Sequence, residues 1–285
     1  MPNALLYNPD KVLKQTEAEA PSVFCRSTRF LRILPDIFLV GVQKGGTTSL
    51  FDALFQHPQI IANRTKEMFY YGNTVNFKNG LSYYRQFFPT KYYKSSCEKK
   101  SGKSCFAIDG STDSFDSKEA PQRIFADNKN AKIVIILRDP VERAFSQYKF
   151  SVKLGFETAD FEKALELEDQ RIAEHAGKEH NYAFQRLGYR SRGIYCNYIG
   201  NWTKQFDKKN VFVESSESFF KQPKVVYDNL IEFLKLEKKE KVDFKKLNEG
   251  SKEQMKAETR VMLSDFYKPY NQKLFSSLGK TYEWQ

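Results

Sequence analysis

Two short apolar runs, each followed by a turn and a helical pattern, stand out along the chain. Residues 37–42 (IFLVGV) lead into a glycine-rich turn, and apolar residues then recur at helical spacing over 48–56. Residues 131–137 (AKIVIIL) precede a second helical pattern at 141–152. Runs that are apolar on both faces are typical of parallel strands covered by helices on each side. The pattern therefore predicts an α/β fold of three layers, in which helices flank a central parallel sheet.

The rest of the chain repeats this alternation less clearly. Weaker strand patterns lie at 105–109 and 211–214, and further helical patterns lie at 160–172, 195–206, 224–235 and 258–277. Residues 1–32 show no steady periodicity, so we expect an irregular lead-in to a single domain at 33–285. Two polar and aromatic segments, 73–103 and 169–192, break the rhythm and are predicted to be long surface excursions.

The composition narrows the class of protein. Of the 285 residues, 40% are hydrophobic and 15% are aromatic, which excludes a disordered chain. The 46 lysines and arginines outnumber the 35 acidic residues and give a net charge of +11. A basic protein favours an anionic partner, and nucleic acid, membrane headgroups and phosphorylated small molecules all fit that description.

The chain shows no apolar run long enough to span a bilayer, and its N-terminus turns polar within ten residues. We therefore expect a cytoplasmic protein with no membrane partner. The cysteines, Cys25, Cys97, Cys105 and Cys196, have no metal-binding spacing, so no metal site is predicted and reduced thiols are expected. A bridge between Cys97 and Cys105 and the oligomeric state stay open.

Residues 41–49 (GVQKGGTTS) lie between a predicted strand and a predicted helix, where an anion site forms readily. The N–H groups at a helix start have no intrahelical partner, the helix dipole is positive there, and glycines allow close approach of a phosphate. Lysine and hydroxyl side chains add further donors. The candidate ligands of this P-loop-like site are Gln43, Lys44, Gly45, Gly46, Thr47, Thr48 and Ser49. Because Lys44 precedes both Gly45 and Gly46, the order differs from nucleoside-triphosphate loops and disfavours a kinase or NTPase.

A second basic motif, 138–148 (RDPVERAFSQY), follows the strongest predicted strand. Asp139 and Pro140 are ordinary signals for a helix start. Arg138 at the end of the strand and Ser146 two turns into the helix could converge on a second phosphate. The alternative is a structural ion pair between Arg138 and a nearby acidic residue.

With both motifs in place, the sequence resembles the sulfotransferases that use 3′-phosphoadenosine 5′-phosphosulfate (PAPS). Residues 41–50 resemble the family's 5′-phosphosulfate loop, and residues 137–148 resemble its 3′-phosphate motif. The resemblance extends to the heparan-sulfate branch and covers about residues 36–284. The further matching segments are 57–58 (HP), 66–69 (KEMF), 80–84 (GLSYY), 191–195 (SRGIY) and the tail from Phe266 to Trp284.

The resemblance implies roles for several residues in a reaction that requires no metal. Lys44, assisted by Thr47 and Thr48, would stabilise the leaving group. Glu67 stands at the position of the family's base and would take the acceptor's proton. Arg138 and Ser146 would bind the 3′-phosphate. Without the family, Glu67 beside a lysine would more often be read as a surface pair.

Weaker assignments follow from the same resemblance. Arg192 and Tyr195 stand where the family closes over the nucleotide, and Ser251 and Lys252 resemble its late basic loop. Surface or packing roles are equally compatible with these residues. Tyr70 and Tyr71 follow the presumed base and are candidates to line the acceptor pocket, with core packing as the alternative.

One departure from the glycan-acting members bears on the acceptor. Those members tend to carry a lysine after the third strand, whereas residues 109–116 (DGSTDSFD) contain none. Asp109, Asp113 and Asp116 at the acceptor mouth would repel a polyanionic glycan and favour a neutral or cationic molecule. We therefore predict a small-molecule acceptor, such as an amine- or guanidinium-bearing alcohol of secondary metabolism. Solvated aspartates without an acceptor role are the alternative.

Two other functions are compatible with parts of the sequence. A heparan-like O- or N-sulfotransferase is the nearest enzyme alternative, which the missing lysine disfavours. A nucleic-acid-binding protein would also be basic, but it predicts charge clustered on one face with exposed aromatic residues. The scattered charges and a glycine loop directly after a strand disfavour nucleic acid as a partner.

Overall fold

A parallel sheet forms the centre of the fold in the computed structural model, which describes residues 22–61, 65–245, 247 and 254–284. Within this part of the chain the strands are β1 (Ile37–Gly41), β2 (Ile60–Ile61), β3 (Phe106–Asp109), β4 (Lys132–Leu137) and β5 (Val211–Ser215). Their order is β2-β3-β1-β4-β5, and every neighbouring pair is parallel. The predicted α/β class is confirmed. Only the two-residue strand β2 had no counterpart in the sequence pattern.

Helices precede, follow and connect these strands. Those of the described residues are α1 (Val23–Ser27), α2 (Thr47–Phe55), α3 (Thr74–Phe77), α4 (Gly80–Arg85), α5 (Lys91–Ser101), α6 (Ala120–Asp127), α7 (Pro140–Lys153), α8 (Phe161–Glu174), α9 (Tyr182–Leu187), α10 (Cys196–Gln205), α11 (Ser216–Lys221), α12 (Pro223–Leu234) and α13 (Ala257–Leu278). Short 3₁₀ turns lie at Arg29–Leu31, Ser191–Gly193 and Lys208–Asn210. No helix in the described part of the chain is both long and apolar enough to cross a bilayer.

The described residues form two compact units, each with its own apolar core. Of the described residues, the sheet unit comprises 22–61, 65–137, 201–245 and 247, and the helical unit comprises 138–200 and 254–284. The single domain expected over 33–285 stays a prediction.

The core of the sheet unit forms around β1, the middle strand, whose five residues are all buried. Leu39 of β1 packs in one cluster with Ile136 of β4, with Leu50 of α2 and with Leu230 of α12. Parallel strands end at the same edge of a sheet, so the turns that follow β1 and β3 meet there. In α/β sheets this edge is where ligands bind.

The helical unit is held by a second cluster. Val141 and Phe145 of α7 lie one helical turn apart and pack in one cluster with Phe161 of α8 and Tyr267 of α13. The Phe145 and Phe161 rings lie 5.1 Å apart between centroids. This packing fixes the helix that carries the second basic motif.

Segment 73–103 is only in part the surface excursion that the sequence predicted, because residues 91–103 include no buried side chain whereas several residues before them are buried. It contains α3, α4 and α5, and its aromatic side chains Tyr84, Phe87 and Phe88 are buried. Segment 169–192 holds the end of α8 and all of α9. The lead-in also has order from residue 22 onward, since it includes α1 and a bridge between Arg32 and Thr90. Short aromatic-rich helices lack a clear period, which is why the sequence pattern missed them.

Candidate active site

The glycine-rich loop connects β1 to α2 in a tight turn. The Val42 N–H donates to the Ile136 carbonyl of β4 at 2.8 Å, and the Gly45 N–H donates back to Val42 at 2.9 Å. A Cβ on Gly45 would lie 2.6 Å from that same Ile136 carbonyl, so no larger residue fits. Gly46 caps α2 with a φ of +83°, and Lys44 has a φ of +70°. The loop is therefore held against β4 by its main chain.

This loop presents donors suited to an anion. The first N–H groups of α2 have no acceptor within the helix, and the dipole of α2 adds positive potential. Gln43, Lys44 and Thr48 are partly exposed, whereas Thr47 is buried. Ser49 differs from its neighbours, because its hydroxyl accepts a hydrogen bond of 2.9 Å from the Leu247 N–H. It supports a neighbouring segment, and its contact with a nucleotide stays a prediction.

Lys66 connects Glu67 to this loop. The Lys66 ammonium donates to Glu67 Oε1 at 2.7 Å and to Thr47 Oγ1 at 3.4 Å. The Thr112 hydroxyl donates to the other carboxylate oxygen, Oε2, at 3.1 Å. The Glu67 side chain is 25% exposed, so it remains accessible to a substrate. A carboxylate positioned in this way can act as a base next to a bound anion.

The turn after β3 holds the main chain on either side of Glu67. The Gly110 N–H donates to the Lys66 carbonyl at 3.0 Å. The Ser111 hydroxyl accepts hydrogen bonds from the N–H groups of Met68, at 2.8 Å, and Phe69, at 3.1 Å. The candidate base therefore sits on a fixed backbone.

Asp109, predicted at the acceptor mouth, is instead enclosed by the protein. Both the N–H and the hydroxyl of Ser111 donate to its Oδ1, and the Tyr84 hydroxyl donates to Oδ2. Burial raises the pKa of Asp109, while the hydrogen bonds from Ser111 and Tyr84 act in the opposite direction. The geometry gives Asp109 a supporting place beneath the turn, and acceptor binding by it remains only a prediction.

The other two aspartates of this turn differ in exposure. Asp113 is buried at 5% exposure, and Asp116 is partly exposed. The Phe115 carbonyl between them accepts a hydrogen bond of 2.9 Å from Nε1 of Trp202, which is fully buried. Three aspartates exposed together at the acceptor mouth are therefore not what the structure contains, because two of the three are buried.

Tyr70 and Tyr71 belong to an aromatic cluster. The Tyr70 ring stacks on Tyr84 with 4.5 Å between centroids, and the Tyr71 hydroxyl donates to Asp127 at 2.9 Å. Both tyrosines are buried, and burial raises the pKa of Tyr70 to about 12. This geometry favours the packing alternative over a lining of the acceptor pocket.

In the helical unit, the second basic motif forms as predicted. The Asp139 carboxylate caps α7 by accepting from the Val141 N–H at 2.8 Å. Arg138 Nη2 lies 3.7 Å from Glu142 Oε2, and Arg260 lies 2.6 Å from the other oxygen of Glu142. The structural ion pair considered for Arg138 is thus present, and binding of a 3′-phosphate by Arg138 stays a prediction. Ser146 is partly exposed on α7.

The residues predicted to close over the nucleotide are largely buried in the helical unit. Arg192 Nη1 donates to the Gln185 carbonyl at 2.5 Å. The Tyr195 hydroxyl donates to the Arg138 carbonyl at 2.8 Å and so supports the start of the second motif. Both contacts are structural, and direct contact with a nucleotide stays a prediction. Ser251 and Lys252 lie outside the described residues.

Sequence reasoning missed Lys66 and Thr112 as parts of the site. Lys66 was visible only as a neighbour of Glu67, and Thr112 only as one polar residue of a turn. Their contacts join segments up to 45 residues apart, which no local pattern reveals. Within the described residues, no group of three or more histidine, cysteine or acidic side chains could hold a metal ion.

The parallel sheet with flanking helices and the glycine loop after β1 define an α/β protein with a P-loop-like fold. The family model for the sulfotransferase domain matches residues 34–285. The chain therefore belongs to the sulfotransferase family, and it is a PAPS-dependent sulfotransferase.

Known relatives agree with this assignment. The chain is 25% identical to the membrane-associated sulfotransferase kil1 of Dictyostelium discoideum, over 98% of this chain and 73% of that protein. It is 24% identical to human heparan sulfate glucosamine 3-O-sulfotransferase 5, over 88% of this chain and 74% of that protein. A sulfotransferase structure from Alicyclobacillus acidocaldarius shares the fold with a TM-score of 0.67 and 24% identity, over 88% of this chain and 98% of the other.

Proposed function

We propose that this enzyme transfers the sulfuryl group of PAPS to a hydroxyl, or to an amine or guanidinium nitrogen, of a small molecule. Glu67 is the proposed base, and Lys44 is the proposed cation at the leaving group. The observation that carries the proposal is the path of contacts from Glu67 through Lys66 to Thr47, with distances of 2.7 Å and 3.4 Å. An acceptor that attacks a group held by the loop needs its base at this place.

The residues present fit the donor. When bound, PAPS supplies an activated sulfuryl group together with a stable leaving group. The donor set of the loop, with main-chain N–H groups, Lys44 and the hydroxyls of Thr47 and Thr48, suits a phosphosulfate. Gln43 and Ser49 complete the proposed loop. In the helical unit, Arg138 and Ser146 are proposed to hold the 3′-phosphate.

Each residue near the acceptor has a defined task in this proposal. Glu67 removes the proton of the attacking oxygen or nitrogen, and Thr112 and Lys66 each fix one of its carboxylate oxygens. The new bond to sulfur forms as the bond to the bridging phosphate oxygen breaks. Lys44 and the first N–H groups of α2 stabilise the electron pair left on that oxygen.

A small-molecule acceptor is supported by the absence of lysine from residues 109–116 and by the partly exposed Asp116. The burial of Asp109 and Asp113 removes the larger part of the repulsion first expected for a polyanion. The support therefore rests more on the missing lysine than on the charge of this turn. A role in secondary metabolism and a cytoplasmic location stay predictions.

A heparan-type glycan is the second candidate acceptor. The similarity to heparan sulfate glucosamine 3-O-sulfotransferase 5 over most of both chains favours it, as does the net charge of +11. Both candidates use the same donor loop and the same base.

A sulfation screen tests the choice of acceptor. The purified chain is incubated with PAPS and, separately, with amino alcohols, guanidinium alcohols, aryl alcohols and desulfated heparan oligosaccharides, and the products are detected by mass spectrometry. Turnover of the small molecules with none of the oligosaccharides is the expected result. Equal or faster turnover of the oligosaccharides rejects the small-molecule proposal and supports the second candidate.

Calorimetry tests the donor independently of any acceptor. We expect adenosine 3′,5′-bisphosphate (PAP) to bind more tightly than ATP and with no effect of magnesium. Lys44→Ala serves as the comparison variant and should weaken PAP binding. Tighter binding of ATP than of PAP, dependent on magnesium, would contradict the proposed donor site.

A further inference from the structure

We infer that Lys66 is a positioning residue that orients the Glu67 carboxylate against the phosphate loop and turns toward the transferred group once that carboxylate is neutral. This inference rests on the proposed function, since it assigns a partner to the proposed base. It adds a second cation to the site, distinct in place and in task from Lys44.

The Lys66 ammonium joins the two parts of the site directly. It donates to Glu67 Oε1 at 2.7 Å and to Thr47 Oγ1, in the first turn of α2, at 3.4 Å. A lysine that only neutralised a surface glutamate would need no contact with the helix that presents the anion site. The ammonium is thus within hydrogen-bonding distance of both the proposed base and the first turn of α2, where the proposed anion site lies.

The stem of Lys66 is confined as well. Its ammonium lies 5.9 Å from the centroid of the Phe51 ring, and the side chain is 18% exposed. A Cβ on Gly110 would lie 2.9 Å from Lys66 Cγ, so the glycine makes room for the stem. Together with the hydrogen bond from the Gly110 N–H to the Lys66 carbonyl, this confinement restricts the ammonium to the space between Glu67 and Thr47.

Charge balance gives this position a function. Before transfer, Lys66 faces an ionised Glu67, which keeps the carboxylate oriented. When the acceptor's proton moves to Glu67, the new oxygen–sulfur or nitrogen–sulfur bond forms, and the old sulfur–oxygen bond breaks with its electron pair going to the phosphate oxygen. Glu67 is then neutral and no longer attracts the ammonium, whereas negative charge has moved to the loop side. Lys66 is still protonated, and its ammonium is then attracted to the negative charge on the leaving group beside Thr47.

A double-mutant cycle tests the inference. The variants are Lys66→Met, Lys66→Arg, Glu67→Gln and the double variant Lys66→Met with Glu67→Gln. The readouts are kcat, PAP affinity by calorimetry and the thermal unfolding midpoint. The matched control is Lys224→Met, which removes an exposed lysine on α12 that, like Lys66, pairs with a nearby carboxylate, Asp228, at 2.5 Å.

Lys66→Met is expected to lower kcat about 10²-fold while PAP affinity changes less than about 3-fold, because a positioned base is typically worth 10²–10⁴ in rate. Lys66→Arg should retain about a tenth or more of the wild-type kcat, since arginine keeps the positive charge. In the Glu67→Gln background, adding Lys66→Met should lower kcat by a further factor of less than about 3, because the effects of residues that act as a unit are not additive. Lys224→Met should leave all readouts unchanged.

Two results would overturn the inference. If Lys66→Met lowers kcat by the same factor in the wild type and in Glu67→Gln, Lys66 acts independently of the base. A fall in PAP affinity as large as the fall in kcat would mean that it acts in donor binding. Failure of the proposed function looks different, because Glu67→Gln would then retain most of the rate by itself.

Discussion

The Tyr84 hydroxyl lies 2.5 Å from Asp109 Oδ2, and both side chains are buried in the sheet unit. Through Ser111, which donates to the other oxygen of Asp109, this pair supports the turn that holds the backbone of Glu67. A buried tyrosine and a buried aspartate thus help to fix the position of the proposed base.

Tyr84→Phe should destabilise the protein by about 1–3 kcal/mol, the usual cost of leaving a buried polar group without its partner, because one oxygen of Asp109 loses its donor. Urea unfolding of the variant and the wild type measures the difference. Tyr92→Phe, at an exposed position, is the control and should change stability little. An unchanged midpoint for Tyr84→Phe would show that the hydrogen bond contributes no stability.

The buried Asp109 should also make stability depend on pH. Burial raises its pKa above 3.8, the ordinary value for an aspartate, so the favourable contribution of its neutral form is complete below pH 3.8 and is lost as pH rises through the folded-state pKa. Asp109→Asn removes this titration. We therefore expect the stability deficit of Asp109→Asn relative to the wild type to shrink as pH rises from about 4 to 7. Unfolding curves at several pH values check the sign, and a deficit that grows with pH would contradict it.

Gly45→Ala should damage the phosphate loop. The added methyl would lie 2.6 Å from the Ile136 carbonyl, so the loop must move away from β4. We expect a loss of about 1–3 kcal/mol in stability, as for other overpacked sites, and a fall in PAP affinity measured by calorimetry. Gly200→Ala is the control, because a Cβ there meets nothing within 4 Å and its φ is not in the left-handed region. Wild-type PAP affinity in Gly45→Ala would show that the loop does not bind the donor.

Arg138→Met separates the two alternatives for that residue. If Arg138 holds the 3′-phosphate, the variant should bind PAP about 10- to 100-fold more weakly, in line with loss of a hydrogen-bonded charge pair worth roughly 1.5–3 kcal/mol. Its affinity for adenosine 5′-phosphosulfate, which lacks the 3′-phosphate, should stay as in the wild type. A purely structural role, through the pair with Glu142 at 3.7 Å, would instead weaken both ligands alike or neither.

Patterns close together in the sequence predicted much of the fold. The buried runs at 37–42 and 131–137 became β1 and β4 because a strand covered on both faces needs an unbroken apolar stretch. The helix starts at Thr47 and Pro140 were predictable because glycine, aspartate and proline, which are common at helix starts, stand there as Gly46, Asp139 and Pro140. The aromatic helices of segment 73–103 escaped because their burial depends on partners elsewhere in the chain.

The sequence by itself determined the sulfotransferase motifs, their order and the position of the glycine loop between β1 and α2, because strand ends, glycine turns and helix starts depend on residues close together in the chain. The tertiary structure alone decided that Lys66 reaches Thr47, that Thr112 holds Glu67, and that Asp109, Tyr70 and Tyr71 are buried. The physical reason is that burial and side-chain contacts are set by which distant segments pack together, and parallel strands bring such segments to one edge of the sheet.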